Sequence, residues 1–373
     1  MSANQENKVI RVGVIGCGEL MQVVHLPVLT VLTDYFRITA LCDVSQNVLQ
    51  YCSRLIKPTP KLTTSAMEIC SSPDVDGVII CSNSALHTIH MTLALQNNKH
   101  VCVEKPVTYN FRDIAILTEA EQKSKCSIFV AYMRRYAPAF LSALEEVGDR
   151  SQIQYARIRA IMGQNSDYVK QSGMFPKRFN DISPAVRKEL LEKDIDMKDQ
   201  ALAEFGVPVN DQTRTILFWL GALGTHDLSA MRESLGLPRA VAGAHLKPPI
   251  WSAILEYDGF SVTYESGMNS VPDFDTHIEI YTKDKIVQVK YEQPYIKGLP
   301  TMMKVRERIT GRNGQTAYQE RIVRETYEDN YTLELKAWYN SITEDKRPKT
   351  TLEDAAEDLK IFKMLMQAAF CKS

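Results

Sequence analysis

Several things are missing from this sequence. No C-x-x-C pair occurs among its eight cysteines, which stand apart at Cys17, Cys42, Cys52, Cys70, Cys81, Cys102, Cys126 and Cys371. No His, Cys, Asp and Glu cluster elsewhere has metal-ligand spacing either, so no metal is expected. Neither charge sign dominates: 44 Lys plus Arg against 45 Asp plus Glu leave a net charge of −1. That is not the basic excess of a general nucleic-acid binder. No apolar run reaches the ~18 residues of a membrane-spanning helix. Nucleic acid and membrane are therefore not expected as partners. Met1–Lys8 is polar and lacks the apolar core of a secretory signal. A cytoplasmic location is expected, with the cysteines as buried free thiols. What remains is an ordinary globular composition, 45% hydrophobic and 24% charged. A length of 373 residues suggests two or three domains at roughly 150 each.

The first 131 residues alternate strand and helix patterns. Short apolar, β-rich runs at Val9–Ile15, Phe36–Cys42, Val75–Cys81, His100–Val103 and Ser127–Ala131 read as strands. Between them, Leu20–Leu32, Val48–Ile56, Ala85–Leu95 and Phe111–Lys123 carry apolar residues at helical spacing. Such alternation gives βαβ units, a parallel sheet and, with right-handed crossovers, a doubly wound domain. Ligands of these sheets bind beyond the carboxyl ends of the strands, so each strand end is a candidate site.

The turn Gly16-Cys17-Gly18-Glu19-Leu20-Met21 follows the first strand. Gly16-x-Gly18 supplies the tight turn and close backbone approach that a pyrophosphate needs at a helix N-terminus. Met21 replaces the third glycine of G-x-G-x-x-G, a position that serves helix–strand packing rather than phosphate. Asp43 follows the second strand, roughly 25 residues on, near the spacing of the acid that accepts the adenosine ribose hydroxyls. A carboxylate there repels a 2′-phosphate, and Val44, Ser45 and Gln46 bring no arginine to pair one. NAD is expected in preference to NADP. Ser82-Asn83-Ser84 ends the third strand, and His87 follows. These side chains fit a cofactor-lining role or an ordinary turn and N-cap. The fourth strand ends in Glu104-Lys105-Pro106.

Taken in order, the Gly-x-Gly turn, His25-Leu26-Pro27, Asp43, Ser84-x-x-His87 and His100-Val-Cys-Val-Glu104-Lys105-Pro106 resemble the glucose–fructose oxidoreductase / inositol dehydrogenase (Gfo/Idh/MocA) family. Ala131-Tyr132-Met133-Arg134-Arg135-Tyr136-Ala137-Pro138 is similar to that family's opening of a second domain. The resemblance implies an N-terminal Rossmann domain over 1–131. It implies a substrate-binding and oligomerisation α+β domain over 132–373, with an open, mostly antiparallel sheet. It further implies cofactor contacts from Gly16, Gly18, Glu19, Leu20, Asp43, Ser82, Asn83, His87, Glu104, Lys105 and Arg135. A homodimer or homotetramer through the C-terminal sheet is expected on the same ground, as is a cis Lys105–Pro106 bond.

Beyond residue 131 the pattern changes. Gln152–Ala160, Val241–His245, Ser252–Tyr257, Phe260–Glu265, His277–Tyr281 and Lys285–Tyr291 read as strands. Asp258-Gly259 between two of them signals a type I′ hairpin. Leu333–Ser341 and Leu352–Phe370 read as helices. Gly163–Arg214 is a long charged insertion. Its Ser183–Phe205 part has mixed charges at helical spacing, read as a solvated face or, since long insertions tend to be functional, a lid. The family commonly places an Asp and a His four residues apart near Phe218–Leu228. Here His226 is present, but Ala222 stands where the Asp would be, and Asp227 lies about 100° around the helix from His226.

Oxidising a secondary alcohol removes a hydride from carbon and a proton from oxygen. Imidazole suits the proton transfer, and a cation beside the oxygen stabilises alkoxide character. His226 is assigned as acid/base, Lys105 as its electrostatic partner and possible relay, and Glu104 as the group orienting Lys105. Substrates implied by the resemblance are sugars, cyclitols and related polyols, with candidate contacts at Lys105, Arg134, Asn165, Tyr168, His226 and Asp227. Two alternatives stand beside this reading: a non-catalytic dinucleotide sensor that regulates transcription, and a glycoside hydrolase that uses tightly held NAD for transient oxidation.

Overall fold

The computed structural model describes residues 8–371. The polar N-terminal stretch read above lies almost wholly outside the described residues. The chain divides into two compact units. The first comprises residues 1–131, 174–201 and 334–356, and the second 132–173, 202–333 and 357–373. Among the described residues, no helix is long and apolar enough to cross a membrane.

The first unit holds a six-stranded parallel sheet: β1 (Ile10–Ile15), β2 (Phe36–Cys42), β3 (Lys61–Thr63), β4 (Gly77–Ile80), β5 (His100–Glu104) and β6 (Ile128–Ala131). Its order is β3-β2-β1-β4-β5-β6, the doubly wound arrangement with a switch point between β1 and β4. Strands β4 and β6 are buried along their whole length, as expected of strands covered on both faces. Register aligns the strand ends: Ile15 pairs with Cys42 and Ile80, and Ile80 with Val103. Gly16, Asp43, Ser82 and Lys105 therefore follow along one edge. The sheet is completed from far along the chain. Trp338 stacks on Phe36 with ring centroids 5.4 Å apart, and Val130 N donates to Thr350 O at 2.9 Å.

The second unit holds an eight-stranded sheet: β7 (Ile153–Met162), β8 (Ala240–His245), β9 (Ile250–Glu256), β10 (Ser261–Met268), β11 (Phe274–Thr282), β12 (Lys285–Tyr291), β13 (Met302–Thr310) and β14 (Thr316–Val323). The order is β14-β13-β12-β11-β7-β10-β9-β8. Only β7 and β10 pair in parallel; the other neighbours are antiparallel. Strand β9 alternates strictly between exposed and buried, which marks a sheet with one covered face and one open face.

Three strands escape the sequence reading. β3 has three residues, too few for a pattern. β13 and β14 carry Lys, Arg and Glu among their apolar residues, which suits the edge of a sheet. The Asp258-Gly259 hairpin forms, but its turn is not type I′. That type needs positive φ at both central residues, and only Gly259 has it (φ +86°).

Candidate functional site

In the first unit the glycine turn is shaped for close approach. Gly16 has φ +96°, and a Cβ there would come within 2.6 Å of Cys81 C and O and Ser82 N. A Cβ on Gly18 would meet nothing within 4 Å, so the space over the turn is open. Gln22 N donates to Gly18 O at 3.1 Å, starting a helix whose first part, Met21–His25, is a π-turn. Such turns are frequent at functional sites. Glu19 and Leu20 are half-buried.

Asp43 leaves β2 toward this turn. Its Oδ2 accepts from Cys17 N at 2.7 Å and its Oδ1 from Ser45 N at 2.9 Å. Burial pushes the carboxyl above its ordinary value, against the lowering by those two amides, and the nearby Asp181 charge adds to the rise.

The ends of β4 and β5 are tied together. His87 is buried, with Nδ1 3.0 Å from Pro106 O and Nε2 3.0 Å from Ser82 O. Ser82 Oγ lies 2.9 Å from His90 Nδ1. Asn83 Oδ1 accepts from Ala85 N at 2.9 Å as an N-cap. His87 and Asn83, read as cofactor contacts, thus hold backbone. Glu104 Oε1 lies 2.7 Å from His25 Nε2, and Glu104 Oε2 accepts from Lys105 N at 3.2 Å. Burial pushes the Glu104 carboxyl up, but the hydrogen bond and charge of His25, with Lys105 and His87 adding, hold it below the usual carboxylate range. His25 moves the other way: burial opposes its charge, yet Cys81 and Glu104 carry it well above the ordinary imidazole value. The half-buried Lys105 follows, and the Lys105–Pro106 bond is cis.

In the second unit, His226 is half-buried in the first turn of the helix Thr225–Leu235. A second π-turn, Leu220–Gly224, runs straight into that helix and contains Ala222. Arg134 and Asp227 are buried and form an ion pair with each other, and the Arg134 guanidinium lies 5.1 Å from the Tyr291 ring centroid. Arg135 pairs with Glu233. The buried Tyr168 donates to Asp273 O at 2.6 Å and accepts from Gly163 N at 3.1 Å. Asn165 is exposed at the start of the helix Asn165–Gln171. Arg134, Tyr168 and Asp227, read as substrate contacts, all have partners inside the unit.

A model of the Gfo/Idh/MocA oxidoreductases, described as an NAD-binding Rossmann fold, matches residues 10–132. The corresponding C-terminal alpha/beta domain matches residues 219–373. The chain belongs to the Gfo/Idh/MocA family. Among curated relatives, myo-inositol 2-dehydrogenase of Thermotoga maritima is 26% identical over 169 residues, covering 44% of this chain and 49% of that protein. The NADP(+)-dependent scyllo-inositol 2-dehydrogenase of Bacillus subtilis is 27% identical over 157 residues, covering 40% and 42%. The chain thus spans about half the length of these relatives, or less. A solved levoglucosan dehydrogenase, in complex with NADH and levoglucosan, superposes with a TM-score of 0.71 at 14% identity, covering 97% of each chain. Myo-inositol 2-dehydrogenase from Lactobacillus plantarum gives 0.68 at 17%, again with 97% of each. At these identities the structures establish the shared fold.

For a Gfo/Idh/MocA chain the first unit fits a dinucleotide. The space over Gly18 is open, and Asp43 follows the end of β2 on the same sheet edge. Several polar residues were not singled out in the sequence as site residues. His25 lay within a quoted motif, but nothing local showed that it reaches Glu104. His90, one turn after His87, was a detectable signal. Asp358 accepts from Tyr132 Oη, Thr225 Oγ1 and Arg232 Nε, each at 2.6 Å. Its signal was a carboxylate on the buried stripe of the helix Leu352–Phe370, between Ala355 and Leu359.

Proposed function

We propose that the chain is an NAD-dependent oxidoreductase that transfers a hydride between a secondary alcohol of a sugar, cyclitol or related polyol and the nicotinamide. The observation that carries this reading is the placement of Glu104-Lys105-Pro106. It closes β5 on the same sheet edge as the Gly16–Gly18 turn, with Glu104 fixed by the wholly buried His25. The inositol dehydrogenases among the relatives support the substrate class.

Bound nicotinamide would supply the hydride acceptor or donor. The chain's own task is to move the hydroxyl proton and to steady the charge left on oxygen. Lys105 provides a cation for that charge. Its direction is set by the turn that Glu104 and His87 hold. His226 takes or returns the proton, a role for which an imidazole needs no large pKa shift at neutral pH. In this reading residues 1–131 bind the cofactor, and 132–373 bind substrate and make subunit contacts. Ile250 and Ile254, exposed on the open face of β9, support a homodimer or homotetramer. A cytoplasmic location belongs to the same reading.

Ala222, at the position where the family commonly carries Asp, favours one rival: a dinucleotide sensor without turnover. Both are tested by assaying sugars, cyclitols and aromatic diols with each cofactor, following absorbance of the reduced nicotinamide. Turnover on a polyol, lost in Lys105→Ala, is expected. Full activity in Lys105→Ala would remove the mechanism, and tight NAD binding without turnover on any compound would establish the sensor.

A further inference from the structure

The segment Met174–Ser183, within the charged insertion, packs as a strap onto the first unit. Four contacts pin it to the elements around the glycine turn and the end of β2. Tyr51 Oη donates to Phe175 O at 3.3 Å. Lys177 N donates to Gln22 Oε1 at 2.7 Å, and Gln22 Nε2 donates back to Lys177 O at 3.1 Å. Arg178 pairs with Glu19 at 2.6 Å. Asp181 makes the fourth contact: its Oδ1 accepts from Ser45 Oγ at 2.6 Å and its Oδ2 from Asn47 N at 2.9 Å.

Ser45 and Asn47 are the donors that begin the helix Gln46–Ser53. Ser45 is its N-cap, accepting from Val48 N at 3.1 Å. A helix N-terminus of this kind attracts an anion. Here the anion comes from the chain itself, 136 residues away in sequence. Asp43, two residues before Ser45, is bonded to Ser45 N. A ribose held by Asp43 would bring any 2′-phosphate to these same donors.

We propose that Asp181 is a second cofactor-discriminating residue. The strap carries its carboxylate onto the donors that a ribose 2′-phosphate would need, and its charge, beside that of Asp43, repels such a phosphate. The inference rests on the reading of Asp43 as the ribose acceptor. The two carboxylates are close enough for the charge of Asp181 to act on the titration of Asp43. Of the strap's cations, Arg178 is engaged by Glu19, and Lys177 is exposed. A phosphate arriving at Ser45 would have to displace Asp181 and accept a position near Asp43, two like charges against it.

The test is calorimetric titration of the full chain with NAD+ and with NADP+. Asp181 is solvent-exposed, so D181N and D181A should fold, which urea unfolding checks. Both variants are expected to gain at least about tenfold in NADP+ affinity while NAD+ affinity moves by less than about threefold. An unchanged NADP+ to NAD+ ratio in both variants overturns the proposal. If D43N shifts the ratio in the same experiment, the Asp43 reading survives that failure. A wild-type chain that binds NADP+ as tightly as NAD+, or binds neither, removes the Asp43 reading and this inference together. Loss of NADP+ affinity in K177A/R178A would mean that the strap recruits the phosphate, which also overturns the proposal.

Discussion

His25 Nε2 lies 2.7 Å from Glu104 Oε1, and both side chains are buried. The pair joins the helix after the glycine turn to the strand that presents Lys105. Removing one partner of a buried ion pair leaves a charge without its counter-charge, at a cost of about 3–5 kcal/mol. His25→Ala should lower stability by about that amount in urea unfolding of the full chain. His25→Gln, which keeps a donor, should lose less. An unchanged midpoint in His25→Ala would show that the pair contributes nothing.

The buried His25 and His87 and the half-buried His90 and His100 give a pH dependence whose sign follows from their directions. Burial is the largest cause holding His87, His90 and His100 below the ordinary value, with His90 lowered to about 4. The folded chain therefore binds fewer protons than the unfolded chain below about pH 6.5, and stability is lost as pH falls toward 4. His90 accounts for on the order of 3 kcal/mol of this. His25, raised in the folded chain, acts in the opposite window: its contribution is complete below about pH 6.5 and is lost as pH rises through its folded value. Unfolding midpoints should peak near neutrality. His90→Gln should flatten the acid limb and His25→Gln the alkaline limb. An acid limb equally steep in His90→Gln would exclude His90 as a source.

The two glycines of the turn should fail differently. Gly16→Ala forces a Cβ against the Cys81–Ser82 backbone at positive φ, so stability should fall by more than about 1 kcal/mol. Gly18→Ala meets nothing in the protein and should leave stability within about 0.5 kcal/mol of wild type. Its nucleotide affinity should nevertheless drop about tenfold or more, because the new methyl occupies the space over the turn. Parallel unfolding and calorimetry separate these outcomes.

Asp358 should be the most sensitive carboxylate of the second unit. It binds Arg232, Thr225 and Tyr132 in a buried setting, and Thr225 precedes His226. Asp358→Ala strands the Arg232 charge and should cost about 3–5 kcal/mol. Asp358→Asn, which keeps one acceptor oxygen and loses the charge, should cost less. Equal losses would mean that the charge accounts for the whole effect and the retained oxygen for none of it.

Much of the first unit was legible because period and position coincide. Short apolar, β-rich runs marked β1, β2, β4, β5 and β6, and strand ends pointed to the glycine turn, Asp43 and Lys105. What was not legible depends on distant chain. The π-turns around His25 and before His226 leave no local composition signal. Arg134 and Asp227 look like open polar groups in sequence, yet they pair across the fold. The insertion read as a charged surface or a lid, and nothing in Phe175–Asp181 announced that it reaches Glu19, Gln22, Ser45 and Tyr51. His87 illustrates the same limit: it opens the helix after β4, and nothing local showed that its ring nitrogens face the carbonyl oxygens of Pro106 and Ser82.

The return of Trp338 to Phe36, and of Thr350 to Val130, bears on how the protein is made. During synthesis, N-terminal domains ordinarily fold first. Here the sheet of the first unit lacks its contacts with Trp338 and Thr350 until the chain has been made past those residues. A ribosome stalled anywhere in the intervening stretch would display an unfinished nucleotide fold, a natural client for chaperones.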